Sequence, residues 1–141
     1  METSPSHAVS KKIAQEVGHA MEVGDWITVL AQVSPTVVAH VPEVGELVGS
    51  DAVAGFLADT SAKTTNGEHF ELLDTMVGDD HVALYFRITA ERTGRAPLDN
   101  LTVHLARLDE AGLIAEIWFH NFNGPAAVSY THLTLPTICS V

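Results

Sequence analysis

Two histidines stand in strand-like runs that are otherwise apolar or neutral, His40 in TVVAHVP and His104 in LTVHLARL. Imidazole is the side chain that changes charge near neutral pH, so two of them in one small cavity would make a proton-transfer site. In an apolar wall, desolvation lowers the imidazole pKa and keeps the ring unprotonated at neutral pH. The plainer alternative is two hydrogen-bonded structural residues. The choice turns on whether the rings share a cavity, and therefore on the elements that carry them.

From Ala8 to Val23 the apolar residues Ile13, Val17, Ala20 and Met21 fall on one helical stripe. Gly24 breaks the pattern and Asp25 can cap a second, short helix marked by Trp26, Val29, Leu30 and Val33. Thr36 to Val41 is a short β-branched strand, followed by an irregular turn through Gly45. Ser50 or Asp51 can cap a third helix with Val53, Phe56 and Leu57 on its apolar face. After Asn66-Gly67 the pattern turns to period two. His69 to Met76, Val82 to Glu91, Leu98 to Leu108 and Leu113 to Phe122 read as four strands, divided by GDD, TGR and DEAG turns. Such short connections imply antiparallel neighbours, and helices followed by strands imply an α+β fold with the helices on one sheet face.

The chain has 141 residues, enough for one domain with a real core. No apolar run approaches the roughly 20 residues of a membrane span, and the N-terminus lacks the apolar core of a secretory signal. A soluble, cytoplasmic protein is expected. With 18 acidic against 7 basic residues the net charge is −11, which disfavours nucleic acid and anionic lipid. The lone Cys139 excludes a disulfide framework, and the eight histidines include no His-x-x-x-His pair, so neither a metal nor another cofactor is expected.

The order of elements, the GDW joint between the first helices, TVVAHVP, GSDAV and GLIAEIW together resemble the cone-shaped nuclear transport factor 2-like superfamily. Within it they are most similar to the SnoaL-like proteins, a group that includes polyketide cyclases and many uncharacterised bacterial proteins. The resemblance spans Ala8 to Ala127. It implies three N-terminal helices packed on a curved, mainly antiparallel sheet, a cavity open at one end, and a homodimer formed through the outer sheet face. Val128 to Thr137, VSYTHLTLPT, resembles instead the translation of a transposon end and sequencing adapter, as in an assembled environmental or draft-genome sequence. The domain is accordingly expected over residues 1–127, with 128–141 a non-native tail in which Tyr130, His132 and Cys139 have no role.

Against the related ketosteroid isomerases, and allowing a small gap before Pro42, His40 falls at the general-base aspartate. His104 falls at the second aspartic acid, which donates to the developing oxyanion. SnoaL-like cyclases also carry a pocket histidine on the strand of His104. The isomerases' oxyanion-binding tyrosine corresponds to Val17. Limonene epoxide hydrolases offer a second comparison, in which Val38 and His40 replace their tyrosine and asparagine. Their catalytic aspartate, in a position shared with the cyclases, corresponds to Phe119. The resemblance thus implies an apolar cavity walled by Trp26, Phe56, Phe86, Ile88 and Phe119, with Asn121 near the mouth. His40 would be the base and His104 the hydrogen-bond donor. Proton transfer on a hydrophobic carbonyl compound, isomerase-like or cyclase-like and without metal, is the expected activity. A non-catalytic ligand-binding or dimeric interaction module is the alternative, and a damaged protein with an exposed apolar seam a third. Among the other histidines, His69 and His81 are expected to be solvated, His19 to be on the surface or in a groove, and His120 to meet a dimer partner.

Overall fold

The structure, a computed structural model, describes residues 7–122. The adapter-like segment Val128 to Thr137, the boundary at Ala127, and Tyr130, His132 and Cys139 lie outside the described residues. Helix α1 (His7–Val23) buries Ile13, Ala14, Val17, Ala20 and Met21, whose three- and four-residue spacings form one stripe. It stops at Gly24, which takes φ 75°, a left-handed conformation open to glycine at little cost. There the Asp25 amide donates to the Ala20 carbonyl (2.8 Å) and the Gly24 amide to that of Met21 (3.3 Å), satisfying carbonyls the ended helix would leave orphaned. Asp25 then caps helix α2 (Trp26–Ala31), its carboxylate accepting from the Thr28 amide at 3.1 Å and the Thr28 hydroxyl at 2.7 Å. One residue closes one helix and opens the next, which is why the joint needs no loop.

Strand β1 (Val33–Val41) turns back into β2 (Gly45–Val48), a strand where the sequence suggests an irregular turn. The turn residues Glu43 (φ 68°) and Gly45 (φ 106°) both take positive φ, and β2 pairs antiparallel with β1, setting Glu46 opposite His40. Helix α3 (Ser50–Ala62) is capped at Gly49, not by the side chain of Ser50 or Asp51. The Gly49 amide is tied to the Val37 carbonyl at 2.7 Å, and its φ of 96° leaves no side chain to cap with. Asp51 sits instead in the first turn, where its charge favours the helix dipole.

The remaining strands, β3 (His69–Val77), β4 (His81–Ala90), β5 (Leu98–Leu108) and β6 (Ile114–Asn121), lie within a few residues of their expected bounds. One six-stranded sheet results, in the order β2-β1-β6-β5-β4-β3. Every pairing is antiparallel except β1 with β6, so the sheet is mixed. Helix α1 packs on β3 and β4, and α3 on β1 and β2. Alternation assigns the β4 faces: Leu84, Phe86, Ile88 and Ala90 are buried, while Tyr85, Arg87 and Thr89 point to the other face. In the core Phe70 meets Trp26 and Phe86 edge-on, each with centroids 5.5 Å apart. The Glu22 carboxylate accepts from the Leu72 amide (2.9 Å) beside the irregularity between Leu72 and Asp74 of β3, pinning α1 to that bulge.

Candidate functional site

The inner sheet face is set by period-two alternation. On β5 it is Leu98, Asn100, Thr102, His104, Ala106 and Leu108; on β6 it is Ile117, Phe119 and Asn121. His104 therefore points toward the helices, its ring 4.5 Å from that of Phe119 and 5.5 Å from that of Phe86. Neither ring nitrogen has a hydrogen-bond partner among the described residues. Burial pushes the His104 ring down from its ordinary 6.5 to about 4, because a charged imidazolium would lose its hydration with nothing to replace it. The ring is thus neutral at physiological pH, with one nitrogen donating and the other accepting.

Two adjoining chambers share Leu57, His104 and Phe119 as walls. The inner, of about 60 Å³, lies between α1, α2 and the sheet and is lined by Val17, Met21, Trp26, Val29, Val53 and Leu84 among others. Among the described residues that line it, His104 and the indole N–H of Trp26 carry the only polar N or O side-chain atoms. The outer, of about 70 Å³, is bounded by Phe56, Phe70, Ile88, Thr60, Glu68, Asn100 and Asn121. Between α2 and α3 a further cleft of about 220 Å³, edged by Trp26, Leu57 and Glu68, adjoins both. Each chamber exceeds the ~10–15 Å³ one water needs. Both fall short of the ~300 Å³ of a full drug-sized pocket, so the space suits a compact ligand.

His40 is elsewhere. On β1 it is Val37, Ala39 and Val41 that face inward, at 0%, 0% and 6% exposure, so Val38 and His40 project from the outer face. The expectation that the two histidines share a cavity is corrected: they stand on opposite faces of one sheet, and no proton relay joins them. The small gap allowed before Pro42 matters here, since a shift of one residue in a strand moves every side chain to the other face. On the outer face His40 Nε2 lies 2.6 Å from Glu116 Oε2, and Nδ1 3.5 Å from Glu46 Oε2. Its ring stacks on Trp118 with centroids 5.4 Å apart and planes 11° from parallel. The hydrogen bond from His40, aided by Arg107 at 3.4 Å, holds the Glu116 carboxyl below its usual range. Trp118 is flanked on its other side by His81, at 6.5 Å, itself bound to Asp80 at 2.8 Å rather than merely solvated.

Of the residues expected to line the cavity, Trp26 borders the inner chamber, Phe56, Ile88 and Asn121 the outer, and Phe119 both. Phe86 is corrected to a core residue: at 0% exposure it sits behind His104 and lines neither chamber. Val17, at the position of the isomerases' tyrosine, does face the inner chamber, whereas Val38 shares the outer face with His40. Sequence reasoning missed Asn100, Thr60 and Glu68 on the outer chamber. Asn100 could have been found, because it stands at even spacing from His104 on the same strand. No group of three or more His, Cys, Asp or Glu able to hold a metal occurs among the described residues. No helix among them is long and apolar enough to cross a membrane.

Helices laid over one face of a mixed six-stranded sheet, with a cavity between, define the nuclear transport factor 2-like, or ketosteroid isomerase-like, class of fold. Within that class the chain belongs to the SnoaL-like domain family, whose profile matches residues 14–117. No curated protein matches it in sequence. Among solved structures it is similar to Bal32a from a soil-derived mobile gene cassette, with TM-score 0.74 and 20% identity over 89% of this chain and 98% of that one. A putative SnoaL-like polyketide cyclase from Jannaschia sp. CCS1 gives TM-score 0.70 and 15% identity, over 93% of this chain and 97% of that one. Rv0760c from Mycobacterium tuberculosis, solved in complex with estradiol-17beta-hemisuccinate, gives 0.65 and 19%, over 79% and 92%. These likenesses establish the fold.

Proposed function

We propose that the chain binds a small, largely apolar molecule whose carbonyl or hydroxyl oxygen hydrogen-bonds to His104. The observation that carries this is a neutral imidazole, without a hydrogen-bond partner among the described residues, set in an otherwise apolar inner chamber. A ligand oxygen placed on that ring would gain a hydrogen bond worth roughly 0.5–1.5 kcal/mol. The steroid-type ligand held by Rv0760c supports the same ligand class. Butyrophenone, a phenyl ketone with one carbonyl, is a suitable probe. Calorimetry should show saturable binding that falls about fivefold or more in His104→Leu. Equal affinity in the two proteins would defeat the assignment.

Catalysis is the second reading, favoured by the likeness to a putative polyketide cyclase. Here His104 takes a proton from the carbon beside the ligand's carbonyl; the C–H electron pair moves to give the enolate, and the proton then returns to carbon. A ring with pKa of about 4 is a weak base, yet comparable carboxylates perform this step in ketosteroid isomerases. His40 has no part in it. Exchange of the α-protons of butyrophenone in heavy water, followed by NMR, tests the step directly. A rate unchanged by His104→Leu would leave binding alone.

We further infer a homodimer through the outer sheet face. On this face opposite charges stand side by side, Arg87 beside Asp99 and Arg107 beside Glu116. Between these pairs lie Trp118, Leu105, Val103 and Tyr85. Trp118→Glu should convert a dimer to a monomer in sedimentation velocity; a monomeric parent protein would refute the dimer.

A further inference from the structure

The proposed ligand-binding reading leaves open what lies beyond the first oxygen, and the outer chamber supplies an answer. Asn100 and Asn121 are inward-facing neighbours on β5 and β6, and the Asn100 amide nitrogen donates to the Asn121 side-chain oxygen at 3.0 Å. That contact takes one lone pair of the Asn121 oxygen and orients its amide. The Asn121 nitrogen, with two N–H donors, has no partner among the described residues and stands on the chamber wall. Phe119 lies opposite His104 in the sheet and Asn121 two residues further along β6. His104 and Asn121 are therefore diagonal neighbours, about 7–8 Å apart.

Polarity along the cavity thus has an order. The deep end is apolar, His104 stands at the junction of the chambers, and an amide donor follows toward Thr60 and Glu68. Resting on the assignment of His104 to a ligand oxygen, we propose that the Asn100–Asn121 pair is a second anchor, selecting ligands with an apolar head, one oxygen at His104 and a second, neutral acceptor at Asn121. The second group is neutral because the Glu68 carboxylate lines the same chamber and the chain carries a net charge of −11. A ketone or hydroxyl satisfies the amide there, whereas a carboxylate meets repulsion.

Three probes share a phenyl ketone head and differ only at the tail. Butyrophenone ends in methyl, phenacylacetone in an acetyl group, and β-benzoylpropionate in a carboxylate. Calorimetry on the full chain at neutral pH should rank phenacylacetone about fivefold tighter than butyrophenone, the return of one hydrogen bond, with β-benzoylpropionate weaker than phenacylacetone. Asn121→Leu should erase the advantage of phenacylacetone over butyrophenone. If the leucine variant does not fold, Asn121→Asp keeps the shape and the bond from Asn100, removes the donors, and should lose the same advantage. Equal affinities for the two ketones, or an advantage that survives both substitutions, would overturn the second anchor while leaving the pocket in place. Tightest binding of β-benzoylpropionate would overturn the neutral acceptor. Butyrophenone binding that ignores His104, or none at all, would overturn both the anchor and the reading beneath it.

Discussion

Replacing His104 with leucine should remove a specific pH dependence from the protein's stability. The folded ring has a pKa of about 4 against an ordinary 6.5, so between those values the unfolded chain holds a proton that the folded chain does not. Stability from this residue is therefore complete above pH 6.5, is lost as the pH falls toward 4, and is level below that. At 1.36 kcal/mol per pH unit, the loss is about 2 kcal/mol by pH 5 and about 3 kcal/mol by pH 4. With an m-value of about 2 kcal/mol/M in urea, the parent midpoint should drop about 1 M further than that of His104→Leu between pH 7 and pH 5. The other titrating groups are common to both proteins, so the difference between the two curves isolates the imidazole. Urea melts followed by circular dichroism at several pH values measure it. Parallel midpoints from pH 7 to pH 5 would refute both the neutral buried ring and the linkage drawn from it.

Other consequences can be checked separately. Phe86→Ala empties the volume behind His104 and should cost about 4 kcal/mol of stability, read from urea midpoints; a cost under about 1 kcal/mol would mean the ring is not core. Trp26 borders the inner chamber and Trp118 the opposite sheet face. Quenching by butyrophenone should therefore persist in Trp118→Phe and vanish in Trp26→Phe; the reverse would place the ligand on the wrong face. The Glu116 carboxyl should titrate below its usual range by carbon NMR and move upward in His40→Ala. Its stabilising part is full above the ordinary carboxyl pKa and is lost as the pH falls through the lower, folded value. An unmoved Glu116 would deny the bond to His40.

Strands β3 to β6 were legible because polar turns separate segments whose alternation is clean, and on β4 the pattern alone sorts Phe86 from Tyr85. The face of His40 was legible as well, in the parity of β1. Thr36, Val38 and His40 share one parity, whereas Val37, Ala39 and Val41 share a wholly apolar one, and it is the wholly apolar set that the core takes. A gap of one residue reverses that parity, so an aspartate aligned with His40 across a gap lies on the opposite face. Strand β2 was hidden because GELV is too short for a period, and it depends on β1 for its hydrogen bonds. Asn100 and Asn121 sit in strands read correctly, yet their meeting depends on the β5–β6 register, which no local pattern encodes.

The place of β6 in the sheet bears on how the chain folds as it is made. The last of the described strands to leave the ribosome lies in the interior of the sheet, between β1 and β5. Until it inserts, the nascent chain can form only two separate pieces, a β1–β2 hairpin and a β3–β4–β5 meander, each with an unsatisfied edge. Joining them closes a loop across most of the sequence, a slow step that leaves those edges open to other chains meanwhile. Phe119 and Asn121 arrive on this same strand, so the chambers they wall are incomplete before the closure. A ligand added during synthesis would therefore prolong the life of finished molecules and do nothing for stalled ones.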